Sequence, residues 1–466
     1  MTDNVTAPPR DLFEHAEPVP FAELVKAFSH IGLLSFGGPA AQIALLHRVC
    51  VEEKRWVSED RFLHALNFCM LLPGPEAQQL ATYIGWLIHG VRGGMVAGLL
   101  FVLPGLAVIL GLSTLYAYYH EVGWVAGLFF GLKAAILAIV VEAVVRIGRR
   151  ALKTRFHRLI ALVAFLALFA LALPFPLVVL MAGLAGLAEA RALARHETQE
   201  APAHPAMVTA GGGSRRFVRS MATLVFWLLV WQAPLLPLWL LAGEGALAEI
   251  FSFFSRMALV TFGGAYAVLA YVAQVAVEEY QWLRPGEMLD GLALAETTPG
   301  PLVLVLSYVG FLAGFREAGA LPALAGGLFG GLLAAWATFV PSFIWIFAGA
   351  PHVERLRGNR MITAALSAIT AAVVGVILNL AVWFALHVLF GRVDQVRIWP
   401  LPAGDPGGAA KPFVSLSLPW PDPASLDPAA LALALFSAAM IFLLKQGMGR
   451  TLVAAAALGL VYRLIA

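Results

Sequence analysis

Charge is scarce in this 466-residue chain: Asp, Glu, Lys and Arg make up 13% of it, about half of the roughly 25% that soluble domains carry. Apolar residues fill the gap at 60%, with a mean hydropathy of +0.82. That balance excludes an ordinary soluble enzyme and also a disordered chain, which needs high charge and little hydrophobicity. A net charge of +3 is too small for a nucleic-acid binder. Cysteine is almost absent. Cys50 and Cys69 form no CxxC pair, so neither a disulfide framework nor a cysteine metal site is expected. Only six of the 31 basic residues are Lys and none follows a Gly, which rules out a Walker A loop and P-loop ATP hydrolysis in this chain. HExxH, His/Cys clusters and aspartate-rich motifs are missing too. We therefore expect no enzyme chemistry, no metal and no cofactor. Residues 1–20 hold Pro8, Pro9, Pro18 and Pro20 without an apolar stretch, so no cleaved signal peptide is expected.

What is abundant is long apolar sequence. A bilayer crossing takes about 20 apolar residues. Suitable segments lie at 21–47, 62–90, 94–119, 122–147, 158–173 and 174–190, then 217–241, then 248–275, 287–315, 320–348, 361–390, 430–446 and 449–465. The expected fold is an all-α polytopic membrane protein of about 13 transmembrane helices, arranged six, one, six. Segments 158–173 and 174–190 are counted as two, the alternative being one helix kinked at Pro174 and Pro176. The organisation follows: a cytoplasmic tail 1–20, a first transporter repeat 21–190, and a cytoplasmic linker 191–216. A connecting transmembrane helix 217–241 leads to a second repeat 248–466 with an external loop 391–428.

The word repeat rests on identities. Phe28-Ser29 aligns with Phe254-Ser255, Phe36-Gly37-Gly38 with Phe262-Gly263-Gly264, and Trp56 with Trp282. Glu52-Glu53 falls on Glu278-Glu279, and Pro73-Gly74-Pro75 on Pro299-Gly300-Pro301; in all, 18 of 48 positions agree without a gap. After an insertion, Pro104 meets Pro341 and Lys133 meets Thr370. One odd crossing between two six-span halves inverts the second half, the plan of many secondary transporters. Arg146, Arg149, Arg150, Lys153, Arg155 and Arg158, then Arg191, Arg195, Arg215, Arg216 and Arg219, then Arg355, Arg357 and Arg360 all fall in loops of one side. The positive-inside rule makes that side cytoplasmic, with the N-terminus inside and the C-terminus outside.

Four breaks interrupt the apolar spans: Gly37-Gly38-Pro39, Pro73-Gly74-Pro75, Gly263-Gly264 and Pro299-Gly300-Pro301. Pro removes a helix donor and Gly frees the backbone. In hydrocarbon such breaks persist only where they are buried or line a wet cavity. A helix that restarts after one offers unpaired N–H groups and a positive dipole end, which suit an anion. The breaks, with flanking Ser35 and Thr261 and the neutral amides Gln78 and Gln79, form the expected substrate site. Lys133 joins it as a charge near mid-span, on the opposite face of the helix from Glu142 and so unable to pair with it. Glu142 is expected to pair with Arg146 instead. Glu76, in the first turn after Pro75, and Glu296, three residues before Pro299, are the expected proton-coupling carboxylates, because an anion held in the same turn repels their ionised form. Gly123, Gly127 and Gly131, and the glycines of 310–331, read as close-packing faces. Trp56 and Trp282 read as interfacial anchors.

These residues resemble the chromate ion transporter family. Phe28 to Pro39, Trp56, Leu72-Pro73-Gly74-Pro75 with Gln79, Gly85 and Leu103-Pro104-Gly105 carry the likeness in the first half. Phe262-Gly263-Gly264, Trp282, Thr298-Pro299-Gly300-Pro301 and Pro341-Ser342 carry it in the second. Glu76 departs from the family, standing where many relatives have a small hydroxyl residue, and Ala265 replaces the Pro found at Pro39. The resemblance implies a secondary transporter that exports chromate across the bacterial inner membrane, driven by the proton motive force, with protons and a chromate or sulfate-like oxyanion as partners. A homodimer is an admissible assembly. The alternatives are a sulfate or other oxyanion porter and, further off, a membrane-embedded enzyme.

Overall fold

Helices dominate the chain, as its apolar runs require, in a computed structural model that describes residues 19–70, 72–197, 213–242, 245–261, 265–317, 319, 321–349, 360–399 and 416–465. Gly263, Gly264, most of the tail and the centres of the linker and the external loop lie outside the described residues. Seven described helices are long and apolar enough to cross a membrane. Five of the expected spans are each two shorter helices, the connecting span 217–241 among them (Gly213–Gln232 and Leu235–Ala242). The span 21–47 is α1 (Phe21–Leu34) and α2 (Gly38–His47), and 62–90 is α3 (Glu59–Cys69) and the start of α4 (Glu76–Tyr119). The counterparts in the second half are α10 (Ala246–Val260) with α11 (Ala265–Gln274), and α12 (Pro285–Thr297) with α13 (Val305–Glu317). Gly37, Gly38, Gly74 and Gly300 take positive φ at these breaks, where a side chain would be strained.

Helix α4 is itself interrupted at His89 and Gly90, where the backbone leaves the helical region. Its two arms fold back on each other, and Gly85 meets the Gly93 carbonyl at the contact. The counterpart in the second half is α13 against α14 (Ala323–Gly349), with Gly310 on Gly330 and Gly314 on Gly326. The remaining helices are α5 (Gly123–Ala151), α6 (Arg155–Phe169), α7 (Phe175–Glu197), α8 (Gly213–Gln232), α9 (Leu235–Ala242), α15 (Arg360–Leu389), α16 (Pro428–Ala438) and α17 (Met448–Ile465). The stretch 158–190 is thus two helices, parted by a left-handed Ala172. The expected loop 391–428 contains an antiparallel hairpin, Val393–Trp399 with Leu416–Pro421.

The helices gather into two compact units, each drawing on both halves of the chain. The first comprises Met1–Tyr118, Pro202–Ala265 and Leu294–Arg357, and the second Tyr119–Ala201, Tyr266–Ala293 and Gly358–Ala466. Within the second unit the halves exchange partners: α5 packs on α16 and α17, while α15 packs on α6 and α7. Small residues permit the contact. Gly459 of α17 lies against Gly127 and Gly131 of α5, and Gly186 of α7 lies against Ala364 and Ala368 of α15. These are matching positions of the duplicated sequence, so the packing itself is duplicated.

Both halves also carry the same wide turn. A π-helical segment, Arg48–Glu53 or Val275–Glu279, is followed by a left-handed residue, Arg55 (φ 53°) or Gln281 (φ 55°). The turn folds the next residue inward. Trp56 and Trp282 are therefore buried, at 9% and 1% exposure, rather than anchored at an interface.

Candidate functional site: paired helix breaks

The first unit holds the breaks. Helix α1 ends at Leu34, Ser35 leaves the helical region (ψ 66°), and Pro39 sits in the first turn of α2. Helix α10 ends in the same way at Thr261 (ψ 87°). At the other pair of breaks, Gly74 (φ 117°) precedes α4, and Gly300 (φ 97°) precedes a 3-10 turn, Leu302–Leu304, that leads into α13.

A break in an apolar medium exposes backbone groups that must find partners. Here each half supplies them to the other. The Gly300 amide donates to the Ser35 carbonyl at 2.7 Å, and the Gly74 amide donates to the Thr261 carbonyl at 2.9 Å. Ser35 corresponds to Thr261 and Gly74 to Gly300 in the duplication, so the two bonds are one bond made twice.

The side chains around this frame are not duplicated. Gln42 Nε2 donates to the Gly300 carbonyl at 2.6 Å, Gln79 Nε2 to the Pro73 carbonyl at 2.7 Å, and Gln78 Nε2 reaches the Phe339 carbonyl at 3.5 Å. Their counterparts in the second half are Val268, Val305 and Leu304. All three glutamines are buried, as are Ser35 and Ser342. Among the described residues, Gln42 Oε1, Gln78 Oε1, Gln79 Oε1, Ser35 Oγ and Ser342 Oγ make no hydrogen bond with the protein. A buried polar atom without a partner costs about 1–3 kcal/mol, so five of them around two breaks form an arrangement suited to a polar guest. Glu76 begins α4 and is half-buried, while Glu296, near the end of α12, is buried.

Of the expected site residues, Ser35, Gly37, Gly38, Pro39, Pro73, Gly74, Pro75, Glu76, Gln78, Gln79, Thr261, Glu296, Pro299, Gly300 and Pro301 all belong to this unit. Lys133 belongs to the second unit. Its ammonium is 3.2 Å from the carboxylate of Asp290, which is nearly buried, and it also lies against Gly286. The partner missing from its own helix comes from α12. Glu142 pairs with Arg146 at 3.5 Å, as expected.

Sequence reasoning missed Gln42, Ser342 and Asp290 as site residues. Gln42 had a signal, being the one amide in the apolar run of α2, at a position filled by Val268 in the other half. Asp290 carried no such signal: a mid-span Lys that cannot pair within its helix calls for an acid on another helix without saying which. Among the described residues, no group of three His, Cys, Asp or Glu could hold a metal ion.

A family model described as "Chromate transporter" matches residues 22–187 and 248–461. The chain is 34% identical to the "Chromate transport protein" of Pseudomonas aeruginosa over 363 residues, 77% of this chain and 80% of that one. It is 27% identical to the "Probable chromate transport protein" of Synechococcus elongatus over 403 residues, covering 84% and 93%. The "Chromate transport protein" of Cupriavidus metallidurans is 27% identical over 376 residues, covering 76% and 80%. No solved structure matches. The doubled match agrees with the duplicated breaks, and with the apolar helices it makes this an all-α polytopic membrane protein. The chain belongs to the chromate transporter family.

Proposed function

We propose that the protein is a secondary active transporter that exports chromate across the bacterial inner membrane, driven by the proton motive force, with its N-terminus cytoplasmic and its C-terminus outside. The observation that carries this reading is the reciprocal pair of bonds between breaks, Gly300 to Ser35 and Gly74 to Thr261. Two half-helices that restart at such breaks present unpaired N–H groups and positive dipole ends, where a tetrahedral oxyanion is stabilised without a bound cation.

Glu76 and Glu296 are the proposed proton carriers. Two unit charges ~6 Å apart at an effective dielectric of 20 repel by about 3 kcal/mol, so an anion bound at the α4 N-terminus and a proton on Glu76 favour one another. Export against the proton gradient also requires the two to alternate. We assign that to Lys133 and Asp290, whose ion pair can be traded for other partners during the cycle. Inside-out vesicles test the reading. Energised vesicles should accumulate chromate, and a protonophore should abolish the uptake. Uptake of sulfate instead of chromate would make the protein a sulfate porter, and uptake indifferent to the protonophore would remove the proton motive force from the account. Cysteines placed near Gly212 and near Asp405 should label from opposite faces of the membrane. Labelling from one face would contradict the inverted repeat.

A further inference from the structure

The two proline-flanked breaks match in sequence but not in surroundings. Each meets a proline-marked stretch from the opposite half: Pro341-Ser342 of α14 at Gly74, and Pro104-Gly105 of α4 at Gly300. At Gly300 the neighbours are carbon and a carbonyl. A Cβ there would lie 3.0 Å from Leu304 Cδ1, 3.5 Å from Gly105 Cα and 3.7 Å from the Phe101 oxygen. A side chain on Gly105 would run into the Pro299 carbonyl, so α4 lies on this break with bare backbone. The facing Phe101 oxygen would repel an anion. The chain entering α13 also tightens into a 3-10 turn, in which the Leu304 amide donates to the Pro301 carbonyl. Only the Leu302 and Val303 amides are then left without a carbonyl inside the turn.

At Gly74 the corresponding atoms are polar. A Cβ there would lie 2.9 Å from Gln79 Nε2 and 3.4 Å from Ser342 Oγ. Both side chains are buried, at 0% and 1% exposure. The atom of Gln79 that lies 2.7 Å from the Pro73 carbonyl must be the nitrogen, since an oxygen there would face an oxygen. That bond uses one N–H, and the amide nitrogen carries a second. Ser342 Oγ makes no hydrogen bond with the protein among the described residues, so its O–H is unspent. Helix α4 starts with its Gln79 amide on the Pro75 carbonyl, and the amides of Glu76, Ala77 and Gln78 have no carbonyl one turn earlier within the helix. A buried hydroxyl left unpaired is destabilising, and a guest that accepts from Ser342 relieves it.

We propose that the chain holds a single oxyanion seat, at Gly74, where Ser342 Oγ and the second N–H of Gln79 donate to the anion, and that the Gly300 break is a closed structural copy of it. This rests on the chromate reading above and deepens it. The anion then bridges the two halves of the sequence: the first supplies the helix end and Gln79, and the second supplies the hydroxyl. A serine in place of the duplicated glycine is what opens one break and not the other, because its side chain stands where the other half has backbone against backbone.

Calorimetry on the purified full-length protein should give one chromate per chain. Ser342→Ala should weaken chromate binding by about tenfold or more, as expected for one hydrogen bond lost to a charged ligand. The same variant without chromate should melt no lower than wild type, because the deleted hydroxyl has no protein partner. A packing role for Ser342 would instead lower that melting temperature and leave the affinity alone. Leu304→Met, at the other break, should bind chromate within about twofold of wild type. Two chromates per chain, wild-type affinity in Ser342→Ala, or binding lost in Leu304→Met and kept in Ser342→Ala would overturn the single seat while leaving chromate transport standing. Absence of chromate binding to the wild-type protein would instead overturn the transport reading itself.

Discussion

The two units solve opposite problems with the same duplicated sequence. In the first, helices are broken at Gly37-Gly38, Gly74 and Gly300, and buried amides and hydroxyls gather around the gaps. In the second, α5 and α15 run unbroken and are held by glycine and alanine contacts, with an ion pair between helices, Lys133 to Asp290, on α5. The first unit gives up helix continuity to present backbone groups, and the second keeps continuity to let helices approach. A glycine therefore means different things in the two. At Gly74 it supplies a backbone angle, and at Gly131 it supplies space.

The largest effect should come from breaking the second kind. A side chain at Gly131 would run into the Ala455 backbone of α17, so Gly131→Leu should prevent close packing and leave little folded protein on size-exclusion analysis. Gly148→Ala, whose nearest neighbour is Val374 at 3.6 Å, should accumulate normally. The first kind should separate folding from activity. Gly74→Ala forces a side chain to φ 117° and against Gln79. Strain of about 1–3 kcal/mol should cut chromate flux by tenfold or more while much of the protein still inserts.

The ion pair sits between these extremes. Lys133→Gln takes the cation away from the buried Asp290 carboxylate and should cost about 3 kcal/mol of stability, seen as a lower melting temperature, while Asp290→Asn, which leaves a partly exposed Lys133, should cost less. Lys133→Met with Asp290→Leu should recover that stability without recovering transport. Glu76→Gln should have the smallest effect. Protonated Glu76 favours the anion, so wild-type affinity declines as pH rises; the variant lacks this contribution and should show a shallower decline in a binding titration from about pH 6 to about pH 8.

Much of this was legible in the sequence because Pro, Gly and Trp leave marks that apolar background cannot imitate. The duplication, the breaks at Gly37-Gly38, Gly74 and Gly300 and the packing contacts of Gly127 and Gly131 were readable from spacing, whereas a side chain at Gly123, read as part of the same face, would meet nothing within 4 Å. Partners across the fold were not. Asp290 is 157 positions from Lys133, and nothing local to either residue says they meet. The burial of Trp56 and Trp282 was hidden for a related reason: it depends on a π-turn and a left-handed Arg55 or Gln281, which no residue type there announces. The orientation of Gln79 depends on the Pro73 carbonyl, a backbone atom with no sequence signature.

The central claim is that the anion is held by the breaks of the first unit and not by the charge of the second. Calorimetric chromate binding to three purified proteins tests it most directly: wild type, Gln79→Leu, and Lys133→Met with Asp290→Leu. Losing a hydrogen bond to a charged ligand is worth about 1.5–3 kcal/mol, so Gln79→Leu should weaken binding by about tenfold or more, while the double variant should bind within about twofold of wild type. Binding lost in the double variant and retained in Gln79→Leu would contradict the account.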